Sequence, residues 1–320
     1  MCKVAVVTTG FFDGVHLGHR HVLETVVSSA RERGEEAVVV TFWPHPRTVL
    51  QQDARDFRLL SSLEEKKALL LRSGIDRVEV IPFTRTFAAL TAAEYLSLLR
   101  DRFGASVVVM GYDNRIGSDH QTAASLASAA TLAPGTKLPE IVSAGAVPGG
   151  PGTKMPEIVS AGVISSTRIR AVLLEGDVER AATMLGYAYG LYGVVVAGNR
   201  LGRTIGFPTA NMQLYEPLKL VPANGVYQVE VEVLGGLYRG MCNIGLRPTV
   251  DGKNRTIETH ILDFDEDIYG LPLWIRFLRR IRDERTFSSL DALRIQLEKD
   301  QDACRRLNRV VGIVDGFSYL

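Results

Sequence analysis

Cysteine is scarce in this 320-residue chain. Cys2, Cys242 and Cys304 are odd in number and far apart, which excludes a disulfide framework and offers no zinc-ligand spacing. No apolar run approaches the ~18 residues that a membrane helix needs, so no membrane partner is expected. The N-terminal residues lack the pattern of a signal peptide, and a reducing cytoplasm is the expected compartment. Charge of one sign is not in excess either. Lys and Arg number 37 against 36 Asp and Glu, a formal net charge of +1. That excludes the broad basic field of a nucleic-acid binder. What is present is ordinary globular composition, 46% hydrophobic and 23% charged. The length suggests about two domains with adequate cores.

The first part of the chain alternates two periodicities. Short β-branched runs at Val4–Thr8, Glu36–Phe42, Val78–Pro82 and Ser106–Met110 read as buried strands. Helical spacing lies between them at His19–Arg33, Ser62–Ser73 and Ala92–Phe103, and again at Ser166–Leu174, with Asp177–Leu185 as its continuation. That β-α rhythm predicts a parallel sheet with helices on both faces. From Tyr192 the texture changes to short strands punctuated by Gly, Pro and Asn: Gly193–Ala197, Gly225–Leu234, Tyr238–Ile244, Thr256–Phe264 and Leu273–Leu278. An all-β unit, a small barrel, is expected there, covered by an amphipathic helix at Ser289–Asn308. The boundary falls near Leu185–Tyr192. One segment is duplicated at an offset of 17 residues, "PGTKLPEIVSAGA" from Pro134 and "PGTKMPEIVSAGV" from Pro151. It reads as a repeated strand-plus-turn, too short for a solenoid.

Six stretches carry candidate chemistry. In "GFFDGVHLGHR", His16 and His19 flank Gly18 at the turn from a strand into a helix. Imidazolium N–H groups and free helix-end amides there suit phosphates, and the glycine lets a polyphosphate approach the backbone. A solvated turn with two histidines is the plainer alternative. In "ISSTRIR", Ser165, Ser166 and Thr167 suit a helix N-cap and Arg168 adds a guanidinium fork; an ordinary capped helix is the plainer reading. "TFWPHP" and "MGYDNRIG" both follow strands, so Asp113 is expected at the same sheet edge. In the β unit, "GNRLGRTIGFPTAN" reads as a glycine-rich phosphate loop in which Thr209 and Asn211 offer neutral oxygens to Mg²⁺. Glu258, among apolar neighbours in "TIETHIL", is a candidate general base, or a solvent-facing strand residue.

Taken together the chain resembles the prokaryotic bifunctional riboflavin kinase/FAD synthetases. The N-terminal half carries "GFFDGVHLGH", "TFWPHP", "GYDNRIG" and "ISSTRIR" in that family's order. The C-terminal half carries "GRTIGFPTANM", "VPANGVY", "NIGLRPTV", "IETHILDF" and "RFLRRIRDERTFSSLDAL". The resemblance implies an α/β Rossmann-like nucleotidylyltransferase domain over residues 1–186. An all-β six-stranded riboflavin kinase barrel with a C-terminal helix would follow over 187–320.

It further implies that the second domain phosphorylates riboflavin to FMN with ATP and the first adenylylates FMN with a second ATP, giving FAD and pyrophosphate. By the same resemblance Gly10, Phe12, Asp13 and Gly18, with Ser165, Ser166, Thr167 and Arg168, bind ATP in the first domain beside catalytic His16 and His19. Asp113 and Arg115 orient the flavin. In the second domain Gly202, Arg203, Gly206 and Pro208 bind ATP, Thr209 and Asn211 serve Mg²⁺, and Glu258 activates the hydroxyl. The sequence departs from the family at Asn114 and Ile116, where aromatics are usual, at Tyr187-Ala188, and by the duplication. The alternatives are a riboflavin kinase with an impaired adenylyltransferase domain and a non-catalytic flavin-binding protein. The partners implied are small molecules, riboflavin, FMN and ATP, and no oligomeric state is implied.

Overall fold

A computed structural model describes residues 3–50, 57–111, 114–130, 138–144, 164–198, 201–249 and 252–306. The chain forms two compact units, residues 1–166 and 167–320.

The first unit is built on five parallel strands, β1 (Ala5–Thr9), β2 (Glu36–Trp43), β3 (Arg77–Pro82), β4 (Ala105–Gly111) and β5 (Glu140–Ala144), in the order β3-β2-β1-β4-β5. β1 lies at the centre, with Val7 paired to Val38 on one side and Val108 on the other, and all five of its residues are buried. A strand covered on both faces has no need of polar alternation, which is why AVVTT reads as a continuous run. The crossover helices are α1 (Leu17–Arg33), α2 (Pro46–Leu50), α3 (Leu63–Arg72), α4 (Arg85–Ala88), α5 (Ala92–Phe103) and α6 (Ala123–Ala130). Their ends follow local chemistry. Ser62 with Glu65 and Thr91 with Glu94 form reciprocal capping boxes on α3 and α5. Gly34 and Gly104 close α1 and α5 in the left-handed region. The chain runs from β1 to β2 on one side and later returns to place β4 on the other. The carboxyl ends of β1 and β4 therefore flank a topological switch point, where such sheets bind ligands.

The second unit begins one residue into α7 (Ser166–Glu175) and continues with α8 (Val178–Leu185). These are two helices, not one continuous one. Gly176 turns at φ 84° and Asp177 caps α8 by accepting from the Arg180 N–H. Six antiparallel strands then close a barrel: β6 (Gly190–Val196), β7 (Ala210–Leu214), β8 (Gly225–Val233), β9 (Gly236–Thr249), β10 (Gly252–Ile261) and β11 (Pro272–Arg282), in the order β10-β7-β6-β11-β8-β9. A short α9 (Leu201–Thr204) and a long α10 (Leu290–Arg306) complete the unit. Residue patterning gives five of the six strands. β7 escapes it because Met212 alone is buried along that strand, and the strand exists through its ladders to β6 and β10. α10 is fixed to the barrel by a bidentate ion pair in which Arg282 donates to the buried Asp300 at 2.7–3.0 Å. Of the duplicated segment, the first copy supplies β5. The second copy lies outside the described residues, as does Asp113.

Candidate functional site

In the first unit the turn after β1 is strained. Phe12, Gly14 and Val15 have φ of 48°, 79° and 36°, and only glycine adopts such values without cost. The strain is held by burial and hydrogen bonds. Asp13, buried, accepts the Leu60 N–H at 3.0 and 3.1 Å and the Ser61 N–H at 3.0 Å, while Gly14 N–H donates to Ser61 Oγ. Asp13 therefore shapes the turn, fastening it to the segment that leads into α3. The Ser166 hydroxyl donates to the Asp13 carbonyl at 3.0 Å, which brings the start of the Ser-Ser-Thr stretch onto the same turn.

His16 is the N-cap of α1, and its Nδ1 accepts the His19 N–H at 3.3 Å. An accepting Nδ1 carries no proton, so a neutral His16 has its N–H at Nε2. The two imidazoles stack with centroids 3.7 Å apart and planes 16° from parallel. Gly18 leaves room beside the stack: a Cβ there would press on the His16 ring at 3.2 Å. Burial, then the neighbouring His16 and Lys66, hold the His19 pKa well below its ordinary value. His19 is thus neutral at neutral pH and donates from one N–H, not as an imidazolium. Its Nδ1 is buried with no hydrogen-bond partner. Gly10 packs against the Phe12 ring, and Phe12 meets His19 edge-on at 5.2 Å.

Sequence reasoning missed Lys66. It is 4% exposed, and its ammonium donates to the Phe11 carbonyl at 3.1 Å and the Phe42 carbonyl at 3.3 Å, at the ends of β1 and β2. Burial pulls its pKa down to about 8, against the attraction of Asp13. A lysine four residues after a capping serine reads as an exposed helix charge, so nothing local could have marked it. Ser165, Thr167 and Arg168 are exposed, with Arg168 on the first turn of α7. Arg115 is also exposed, and Ile116 beside it is a core residue bridged to Gln121.

In the second unit Glu258 stands on β10 directly opposite Asn211 on β7 and Asn243 on β9. Directly opposed residues share a face, so the carboxylate lies in a row of amides. The loop before β7 is shaped by two glycines. A Cβ on Gly202 would lie 2.2 Å from the Phe207 carbonyl oxygen, and Gly206 has φ 85°. Phe207 N–H closes the loop on the Gly202 carbonyl at 2.8 Å.

Two cavities meet here. One of about 300 Å³ is lined by Gly202, Phe207, Thr209, Asn243, Glu258, His260 and Arg282 among others. The second, about 370 Å³, is lined by Arg203, Pro208, Thr209, Asp265, Asp267 and Tyr269 among others. Thr209 lines both. Asn211 packs against Gly198, where a Cβ would collide with its amide. Among the described residues no group of three or more His, Cys, Asp and Glu could hold a metal ion. Thr209, Asn211 and Glu258 instead offer hard oxygens, the set that suits a cation completing its shell with water and phosphate.

The riboflavin kinase family model matches residues 185–308, and the FAD synthetase model matches residues 2–143. A bifunctional riboflavin kinase/FMN adenylyltransferase from Bacillus subtilis is 36% identical over 307 residues, covering 94% of this chain and 92% of its own. One from Escherichia coli is 36% identical over 302 residues, with 94% and 91% covered. A solved structure from Streptococcus pneumoniae, described as a macrolide-efflux protein, is 35% identical, covers 95% of both chains and superposes with a TM-score of 0.83. Both halves of the chain find their counterpart, and nearly the whole length aligns with proteins carrying both activities. The chain belongs to the bifunctional riboflavin kinase/FMN adenylyltransferase family.

Proposed function

We infer that the riboflavin kinase step of this transferase takes place in the barrel, where Thr209 joins two cavities, and the FMN adenylyltransferase step at the His16–His19 turn. Residues 1–186 then serve adenylyl transfer and 187–320 the kinase reaction. The observation that carries the reading is Glu258 and Thr209 lining one cavity while Thr209 also lines its neighbour. A flavin in the first and ATP in the second would present the 5′-hydroxyl and the γ-phosphate to each other.

Glu258 takes the hydroxyl proton as the oxygen attacks the γ-phosphorus, and FMN and ADP result. Asn211 and Asn243 stand opposite the carboxylate, and Arg203, with the backbone around Gly202, Gly206 and Pro208, faces the nucleotide. Mg²⁺ fits the oxygen set of Thr209 and Asn211, and when bound it neutralises phosphate charge. In the first unit a phosphate oxygen of FMN attacks the α-phosphorus of ATP and pyrophosphate leaves. His16 Nε2–H, His19 and the free amides at the start of α1 stabilise the charge that builds on the phosphates. Gly10, Phe12, Asp13 and Gly18 shape that turn; Ser165, Ser166, Thr167 and Arg168 supply further donors, and Asp113 and Arg115 orient the flavin. The substrates are small and soluble, and the cytoplasm is where such a chain works. An efflux role by analogy with the pneumococcal protein has no support here, since no helix among the described residues is long and apolar enough to cross a membrane.

The test is chromatographic. The chain is incubated with ATP and Mg²⁺ and either riboflavin or FMN, and the three flavins are resolved over time. FAD is expected from both. Glu258→Ala should make no FMN from riboflavin and still make FAD from FMN. Unchanged FMN formation in that variant removes Glu258 from its role, and FMN without FAD from the parent chain assigns the first unit no activity.

A further inference from the structure

His260 stands two residues beyond Glu258 on β10, so both side chains point to the same face and both line the 300 Å³ cavity. The imidazole is 7% exposed, and its Nδ1 lies 2.8 Å from the Pro208 carbonyl oxygen. A carbonyl only accepts, so Nδ1 must carry the proton. Nε2 is then an acceptor, and it faces the Gln301 amide on α10 at 3.5 Å. The ring also packs edge-on against Phe207, with centroids 5.2 Å apart.

Pro208 has no N–H, so its carbonyl is the one backbone group that can tie it down. The next residue but one, Ala210, is held in the ladder opposite Thr259. Thr209 is therefore suspended between two anchors, and neighbouring residues of β10 supply both. The same strand also carries Glu258. A single element thus sets the base and the threonine at the seam of the two cavities.

We propose that His260 is a positioning residue for phosphoryl transfer: its Nδ1–H holds the Pro208 carbonyl and so fixes Thr209 relative to Glu258. This rests on the kinase reading above. Asparagine can place an amide N–H where imidazole has Nδ1, whereas glutamine reaches the Nε2 position, and this difference makes the test. His260→Asn should keep FMN formation close to that of the parent chain. His260→Gln and His260→Ala should lose about 10- to 100-fold in kcat, the scale of a misplacement near 1 Å, with little change in KM for riboflavin.

FAD formation from FMN checks the first unit, and an unchanged KM for riboflavin with a cooperative thermal transition checks that the barrel of each variant is folded. Hydrogen exchange at the Phe207 amide, measured without substrates, reads the loop anchor independently of turnover. It should accelerate in the Gln and Ala variants and not in the Asn variant. Equal activity in the Asn and Gln variants, or unchanged exchange in all three, overturns the proposal. A parent chain that makes no FMN yet shows the exchange pattern instead overturns the kinase reading and leaves the anchor standing.

Discussion

At the scale of single residues, His19 shows how a fold changes what a side chain can do. Histidine beside glycine at a helix start suggests a cation for phosphate. Burial and its neighbours His16 and Lys66 instead keep the ring neutral. Because the folded pKa lies below that of the unfolded chain, stability is complete above about pH 6.5. As pH falls below that value the unfolded chain binds a proton that the folded chain refuses, and stability is lost down to the folded pKa. His19→Gln should flatten part of this fall, and urea titrations of both chains between pH 7.5 and 5 would measure it; parallel profiles would refute the assignment. A bound polyphosphate reverses the local field. ATP binding to the first unit near pH 6.5 should therefore draw in a proton, visible as a binding enthalpy that varies with the buffer more in the parent chain than in His19→Gln.

At the scale of elements, α3 is more than a crossover. Its span was legible in the helical spacing of Ser62–Ser73; the structure adds the capping box of Ser62 and Glu65 and buries Leu69 and Leu70. What the pattern hid is that Lys66 faces inward and bridges the ends of β1 and β2. Lys66→Met keeps the length of the side chain and removes the donor from two carbonyls. It should cost about 1–3 kcal/mol of stability in the first unit. By loosening the turn that carries His16, it should also slow FAD formation while FMN formation stays at the parent rate. Equal loss of both activities would argue against a local clamp. β7 teaches the converse. ANMQL has neither alternation nor a β-branched run, and it is a strand because β6 and β10 each offer it an open edge. Non-local pairing of that kind leaves no local signature.

At the scale of the whole molecule, the two candidate sites are built on different strands and loops, and the proposed kinase chemistry uses no residue of the first unit. FMN released by one chain should therefore serve another. A mixture of His16→Ala chains, which make FMN alone, with Glu258→Ala chains, which make FAD only from added FMN, should convert riboflavin to FAD. Failure of the mixture, with each variant active in its own half-reaction, would mean that FMN does not leave the chain that makes it. The sequence by itself determined the class of each unit, most helix ends and the family, because hydrophobic period, caps and motifs are local and survive being read one residue at a time. Only the tertiary structure decided where the sixth strand lies, the burial of Lys66, the neutral His19 and the seat of Thr209 between two cavities. Each of those depends on which groups meet across the fold, and desolvation and strand pairing act between residues far apart in the chain.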